Sequence, residues 1–127
     1  MGKIMKEGKQ YGVGGGRQVE VPMTYADSSK INTTYSWCIA DTANRHVQGQ
    51  IYYTSAVTGT LSAIANIPAP YRPSRQVWGF AAGSNGGGYT GRSTITAGGD
   101  VNVAVTGTIP SDSGFAYGVF IPFSYYY

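Results

Sequence analysis

Apolar and polar residues alternate with a period of two along most of this chain. Over residues 18–23, Val19, Val21 and Met23 share one face. Over residues 33–40, Tyr35, Trp37 and Ile39 oppose Ser36 and Cys38, and over 47–57, Val47, Ile51, Tyr53 and Val57 oppose Gln48, Gln50 and Thr54. The valines of 101–105 oppose Asn102 and Ala104, and Phe115, Tyr117, Val119, Ile121 and Phe123 lie on one side of the last run. Side chains that point alternately to two faces mark strands with one face in a core. No window carries a helical repeat. Residues 60–67 and 76–82 add two strands, separated by Pro68, Pro70 and Pro73, which cannot donate ladder hydrogen bonds. Residues 92–96 and 101–105 form a hairpin across Ala97-Gly98-Gly99-Asp100, whose glycines take positive φ without steric cost. About eight strands with turn signals every ~8–12 residues predict an all-β fold, an antiparallel, jelly-roll-like β-sandwich.

Composition narrows the setting. The 127 residues suffice for one domain, and 42% hydrophobic residues suffice for a packed core. Charged residues make up 12%, about half the usual share of a soluble domain. A surface so poor in charge suits self-association. The net charge of +3 resides on residues 1–17, while residues 18–127 are neutral, so the globular part offers no clustered cations for nucleic acid. Cys38 has no partner for an intrachain disulfide. No apolar run reaches membrane-spanning length, and the start lacks the apolar core of a secretory signal.

Residues 1–16 differ from the rest. Lys6-Glu-Gly-Lys-Gln-Tyr-Gly12 reads as a small hairpin and Val13-Gly-Gly-Gly16 as a flexible joint. We therefore read 1–16 as a linker or small hairpin and 17–127 as the folded domain.

Candidate chemistry is sparse. His46 is the one histidine, and no Gly-x-Ser-x-Gly elbow accompanies it, so a nucleophilic triad is not expected. A glycosidase needs two placed carboxylates, but Asp27, Asp41, Asp100 and Asp112 all sit in turn-like contexts. One histidine, one cysteine and dispersed aspartates supply no metal-ligand cluster, and no cofactor is implied. Calcium on loop carboxylates stays open. Neither glycine-rich run, 12–17 or 83–91, leads into the Lys-Ser/Thr and helix of a phosphate loop. The aromatic residues are the best lead. Tyr35, Trp37, Tyr53, Tyr117 and Phe123 are expected in the core. Tyr52, Tyr71, Trp78 and Tyr89 are less clearly inward. Trp78 and Phe80 share a face opposite Val77, Gly79 and Ala81, and one of these faces must meet solvent or a partner. Amphipathic rings serve subunit interfaces and sugar stacking alike.

One order of features goes further. Residues 64–78 contain Ile67-Pro-Ala-Pro-Tyr-Arg-Pro73 and end at Trp78; a glycine-rich loop, the hairpin of 92–105 and a Tyr/Phe-rich last strand follow. Over residues 19–127 this order resembles the C-terminal head domain of bacteriophage tail fibres and receptor-binding proteins. The resemblance implies a homotrimer in the tail of a virion, or a prophage-encoded counterpart, joined to other tail or baseplate proteins. It implies non-catalytic adsorption to a host cell-surface polysaccharide. On that view Trp78 or Tyr89 offers an aromatic platform, and Arg92 with Asn85 offers polar contacts. A purely structural trimerisation domain and, third, a small glycan hydrolase or esterase are the alternatives.

Overall fold

The computed structural model describes residues 17–83, 90–114 and 117–127. The expectation that residues 1–16 form a linker or hairpin lies outside them. Nine strands run in order: β1 (Gln18–Glu20), β2 (Thr24–Tyr25), β3 (Trp37–Asp41), β4 (His46–Tyr53), β5 (Val57–Asn66), β6 (Val77–Gly83), β7 (Thr90–Ile95), β8 (Asp100–Ile109) and β9 (Val119–Tyr126). Single 3-10 turns occupy Ser28–Lys30, Thr33–Tyr35 and Ala69–Tyr71. The strands form one sheet in the order β1-β3-β4-β9-β6-β7-β8-β5-β2, and their pairings are antiparallel.

Connectivity explains the shape. β1 and β2 are the two edges of the sheet, yet residues 21–23 suffice to join them. Eight spacings of about 4.8 Å would hold the edges of a flat sheet ~38 Å apart. Four residue steps span at most about 14 Å. The sheet therefore curls into a half-barrel. The fold is all-β and antiparallel as expected, but the core lies inside the curl of one sheet, where two facing sheets were expected. The additional strand is β2, whose two residues are too few to show an alternation. Ile51, Ile67, Ile95, Val101, Val103, Ile109, Val119 and Ile121 fill the interior.

Most of the alternation is kept. Val101 and Val103 point inward with Val47, Ile51 and Val119. β3 is inverted: Cys38 and Ala40 are buried, whereas Trp37 is 41% exposed and Tyr35 is exposed too. The inner side opposite Cys38 has room for little, because Gly49 is its register partner and Phe123 lies over Gly49, 2.7 Å from where a Cβ would stand. Small residues fit there and the large ring turns outward. The strand also begins later than expected. Asn32 Oδ1 accepts from the amides of Thr34 and Tyr35, at 3.1 and 3.3 Å, and winds residues 33–35 into a turn.

Tyr52 departs in the other sense. Its parity places it on the outer face beside Gln48 and Gln50, but it is fully buried. The segment before β9 folds over it. Its ring stacks on Phe120 at 4.3 Å between centroids, and its hydroxyl donates to Asp112 Oδ1 at 2.6 Å and lies 2.9 Å from the Tyr117 carbonyl oxygen. Tyr117, expected inside, is exposed in that covering segment.

The proline-rich connection is tied to the body of the fold by side-chain contacts. Residues Ala69–Tyr71 form a 3-10 turn. The Tyr71 ring meets Tyr127 edge-on at 5.6 Å, and the Tyr71 carbonyl accepts from the Tyr125 hydroxyl. Arg72 donates from Nε to the Ile67 carbonyl at 2.7 Å and from Nη2 to Asn66 Oδ1 at 3.1 Å. The β7–β8 turn packs against this arginine. Gly99, at φ +88°, has no room for a Cβ between the Ile67 carbonyl and Arg72 Nε.

Candidate functional site

The outer face of β5, β8, β7 and β6 carries the site. On β6, Trp78 and Phe80 stand on the convex side, 64% and 82% exposed. Antiparallel register places Thr94 opposite Trp78 and Arg92 opposite Phe80, and on the next strand Asn102 opposite Thr94 and Ala104 opposite Arg92. Arg92 leans diagonally onto the indole, with its guanidinium carbon 5.4 Å from the ring centroid. A cation over an indole face is attracted by the ring quadrupole, so each side chain restricts the other. A cleft of about 240 Å³ opens beside them, lined by Thr60, Ser62, Gln76, Trp78, Arg92, Thr94 and Asn102.

The far wall of this cleft is built by an irregularity in β5. Register runs from Leu61↔Val103 to Ala65↔Val101, so Ser62, Ala63 and Ile64 together oppose Asn102. Ala63 takes φ +54°, a left-handed conformation that costs an L-residue with a Cβ about 1–2 kcal/mol. The Asn102 side chain holds it there. Oδ1 accepts from the Ala63 amide at 2.7 Å, and Nδ2 donates to Thr94 Oγ1 at 3.0 Å. The bulge thus places Ser62 at the cleft, and the same Asn102 side chain hydrogen-bonds Thr94. Strain held by neighbouring groups is often found at functional sites.

A second cleft adjoins the other side of Trp78. β6 and β9 pair at Ala82↔Phe120 and Gly83↔Val119, and no further pair joins them among the described residues. In register, Pro122 would come opposite Phe80, and proline has no N–H to extend the ladder. The opening holds about 280 Å³ and is lined chiefly by Val77, Trp78, Phe80, Ile95, Pro122 and Phe123, with two hydroxyl residues, the buried Ser93 and the exposed Ser124.

Of the four residues expected to bind a glycan, Trp78 and Arg92 are brought together, and Asn85 and Tyr89 lie outside the described residues. Thr60, Ser62, Gln76, Thr94 and Asn102 were not anticipated as site residues. The signal for Asn102 and Thr94 was their polar, outward parity on strands flanking Trp78, but nothing in the chain announces which strands neighbour β6.

The other candidate chemistries resolve locally. His46 Nε2 lies 2.7 Å from Ser124 Oγ, and its ring tilts against Tyr126 at 4.8 Å. The nearest carboxylate in register, Asp41, is occupied in its own turn. It accepts from Asn44 Nδ2 and from the amides of Asn44 and Ala43, and these bonds, the Asn44 side chain's first, hold its carboxyl below the usual range. Asp27 is likewise held low, first by the Ser29 hydroxyl and then by the Ser29 amide. Asp100 accepts from Asn66 Nδ2, and Asp112 from Tyr52. Burial pushes the Cys38 thiol up to about 12 and also raises Tyr25 and Tyr125. Among the described residues no group of three His, Cys, Asp or Glu side chains gathers to hold a metal, and no helix is long and apolar enough to cross a membrane. Comparison of the chain with protein-family models, curated proteins and solved structures returns no match.

Proposed function

We propose that this chain is a receptor-binding head domain of a phage or prophage tail, which attaches to a host cell-surface glycan without cleaving it. The observation that carries the reading is the exposed Trp78 ring under Arg92 at the rim of a polar cleft. An exposed indole offers a platform for the C–H face of a sugar ring. Thr60, Ser62, Gln76, Thr94 and Asn102 surround it with neutral donors and acceptors suited to hydroxyl groups, and Arg92 adds a charged donor for a phosphate or carboxylate substituent. The domain acts as a homotrimer on a longer fibre, and three sites on one assembly multiply weak saccharide contacts by avidity.

A second reading, a structural trimerisation domain, draws on one observation: Phe80 is the most exposed large apolar side chain of the described residues and stands next to Trp78. The two readings part in one experiment. The protein is passed over an array of bacterial surface polysaccharides while its mass is followed by light scattering. The receptor reading expects a trimer of about three times 13.4 kDa that retains particular glycans. A trimer that retains none across hosts supports the structural reading, and a monomer contradicts the assembly.

A further inference from the structure

We infer that the apolar cleft between β6 and β9 is a subsite for the acyl group of an N- or O-acetylated sugar whose ring lies on Trp78. This assignment rests on the glycan reading and names the class of sugar. Trp78 is the shared wall of the two clefts, with the polar one on its β7 side and the apolar one on its β9 side. Both clefts therefore border the indole. A ligand spanning both must have a hydroxyl-rich part and a small apolar part joined directly to it.

The lining selects acyl over plain alkyl. Val77, Phe80, Ile95, Pro122 and Phe123 supply apolar walls that suit a methyl group. Of the two hydroxyls in the lining, Ser93 is buried, so the exposed Ser124, held 2.7 Å from His46 Nε2, is the one a ligand reaches. When His46 Nε2 carries a proton it donates to Ser124 Oγ, and the serine hydrogen is then free to donate to a carbonyl oxygen. Methyl and carbonyl together are an acetyl group. The cleft persists because Pro122 cannot close the ladder and Gly79 adds no side chain to it.

The test uses the intact chain and matched pairs of probes: the methyl glycosides of glucose and galactose, and of their 2-acetamido counterparts. Affinities are read by saturation-transfer NMR titration. Burying one methyl group is worth about fourfold and one neutral hydrogen bond about fivefold, so the acetamido sugar of at least one pair should bind about twentyfold more tightly. Saturation should reach its acetyl methyl most strongly. Phe80→Ser, at an exposed position, should remove about fourfold from the acetamido sugar and nothing from the plain one. Ser124→Ala should remove about fivefold in the same selective way. Equal affinities within every pair overturn the acyl subsite and leave the glycan reading intact. A preference that survives both substitutions places the acyl group elsewhere and also overturns it. Saturation transfer to none of the four sugars removes both the subsite and the glycan reading for these sugars.

Discussion

Asn102 joins the strained bulge to the cleft, and its replacement by alanine tests whether the site is built as described. The substitution removes the acceptor of the Ala63 amide and the donor to Thr94 Oγ1, at 2.7 and 3.0 Å. A neutral hydrogen bond contributes about 0.5–1.5 kcal/mol. Ala63 is exposed, so water can take over its amide and the upper limit is not reached; about 1–2 kcal/mol is expected in all. For a domain of this size that lowers the thermal midpoint by roughly 4–8 °C. The loss should depend on Ala63. Ala63→Gly relieves a left-handed residue at φ +54°, which offsets the ~0.4–1 kcal/mol that glycine costs through the unfolded chain. That substitution alone should be close to neutral, unlike glycine elsewhere in a strand. In the Ala63→Gly background, Asn102→Ala should cost about half as much, because the bulge no longer needs holding. Calorimetric unfolding of the four proteins completes the cycle. A midpoint for Asn102→Ala within one degree of the parent refutes the argument, and strict additivity refutes the claim that Asn102 acts through Ala63.

Two further outcomes follow from the interior. Tyr52→Phe should destabilise by about 1.5–3 kcal/mol, because a hydrogen bond to a carboxylate is lost from a buried ring; urea unfolding reads this, and a wild-type midpoint would show that the segment over Tyr52 is held by other contacts. Cys38 stays a thiol in the folded chain up to about 12, against an ordinary value of 9.0. The unfolded chain ionises first, so the contribution of Cys38 to stability should be constant below pH 9 and fall as pH rises from 9 toward 12. Cys38→Ala should flatten the fall between pH 9 and 10, below the range where Tyr25 and Tyr125 contribute; an unchanged slope would show that the thiol is not shielded.

Strand identity was legible wherever one apolar face met a filled core, as in β8 with Val101 and Val103. It misled at β3, where local alternation favoured Trp37 but the space beneath Phe123 admitted Cys38 and Ala40. Tyr52 shows the same limit from the other side: its outward parity was correct, and its burial came from a segment sixty residues away. Closure into one curled sheet follows from the short 21–23 link between the edge strands, which the alternation of Val19, Val21 and Met23 presents as part of one continuous strand over 18–23. Trp78 and Arg92 were legible as a pair because they flank one hairpin unit in the chain. Ser62 and Asn102 were not, since strand order brings them to Trp78 and alternation is silent on order, whereas Gln76 lies two residues before Trp78 in the same run and shares its parity.

The measurement that bears most directly on the central claim is the retention of an array-identified glycan by the parent chain and by Trp78→Ala, compared at equal oligomeric state. Removing a central aromatic anchor from a binding site typically costs more than ~2 kcal/mol, or over tenfold in affinity. Trp78 is largely exposed, so the variant should keep the parent's thermal midpoint and assembly while losing at least tenfold in affinity. Equal retention by the folded, equally assembled variant would contradict the account.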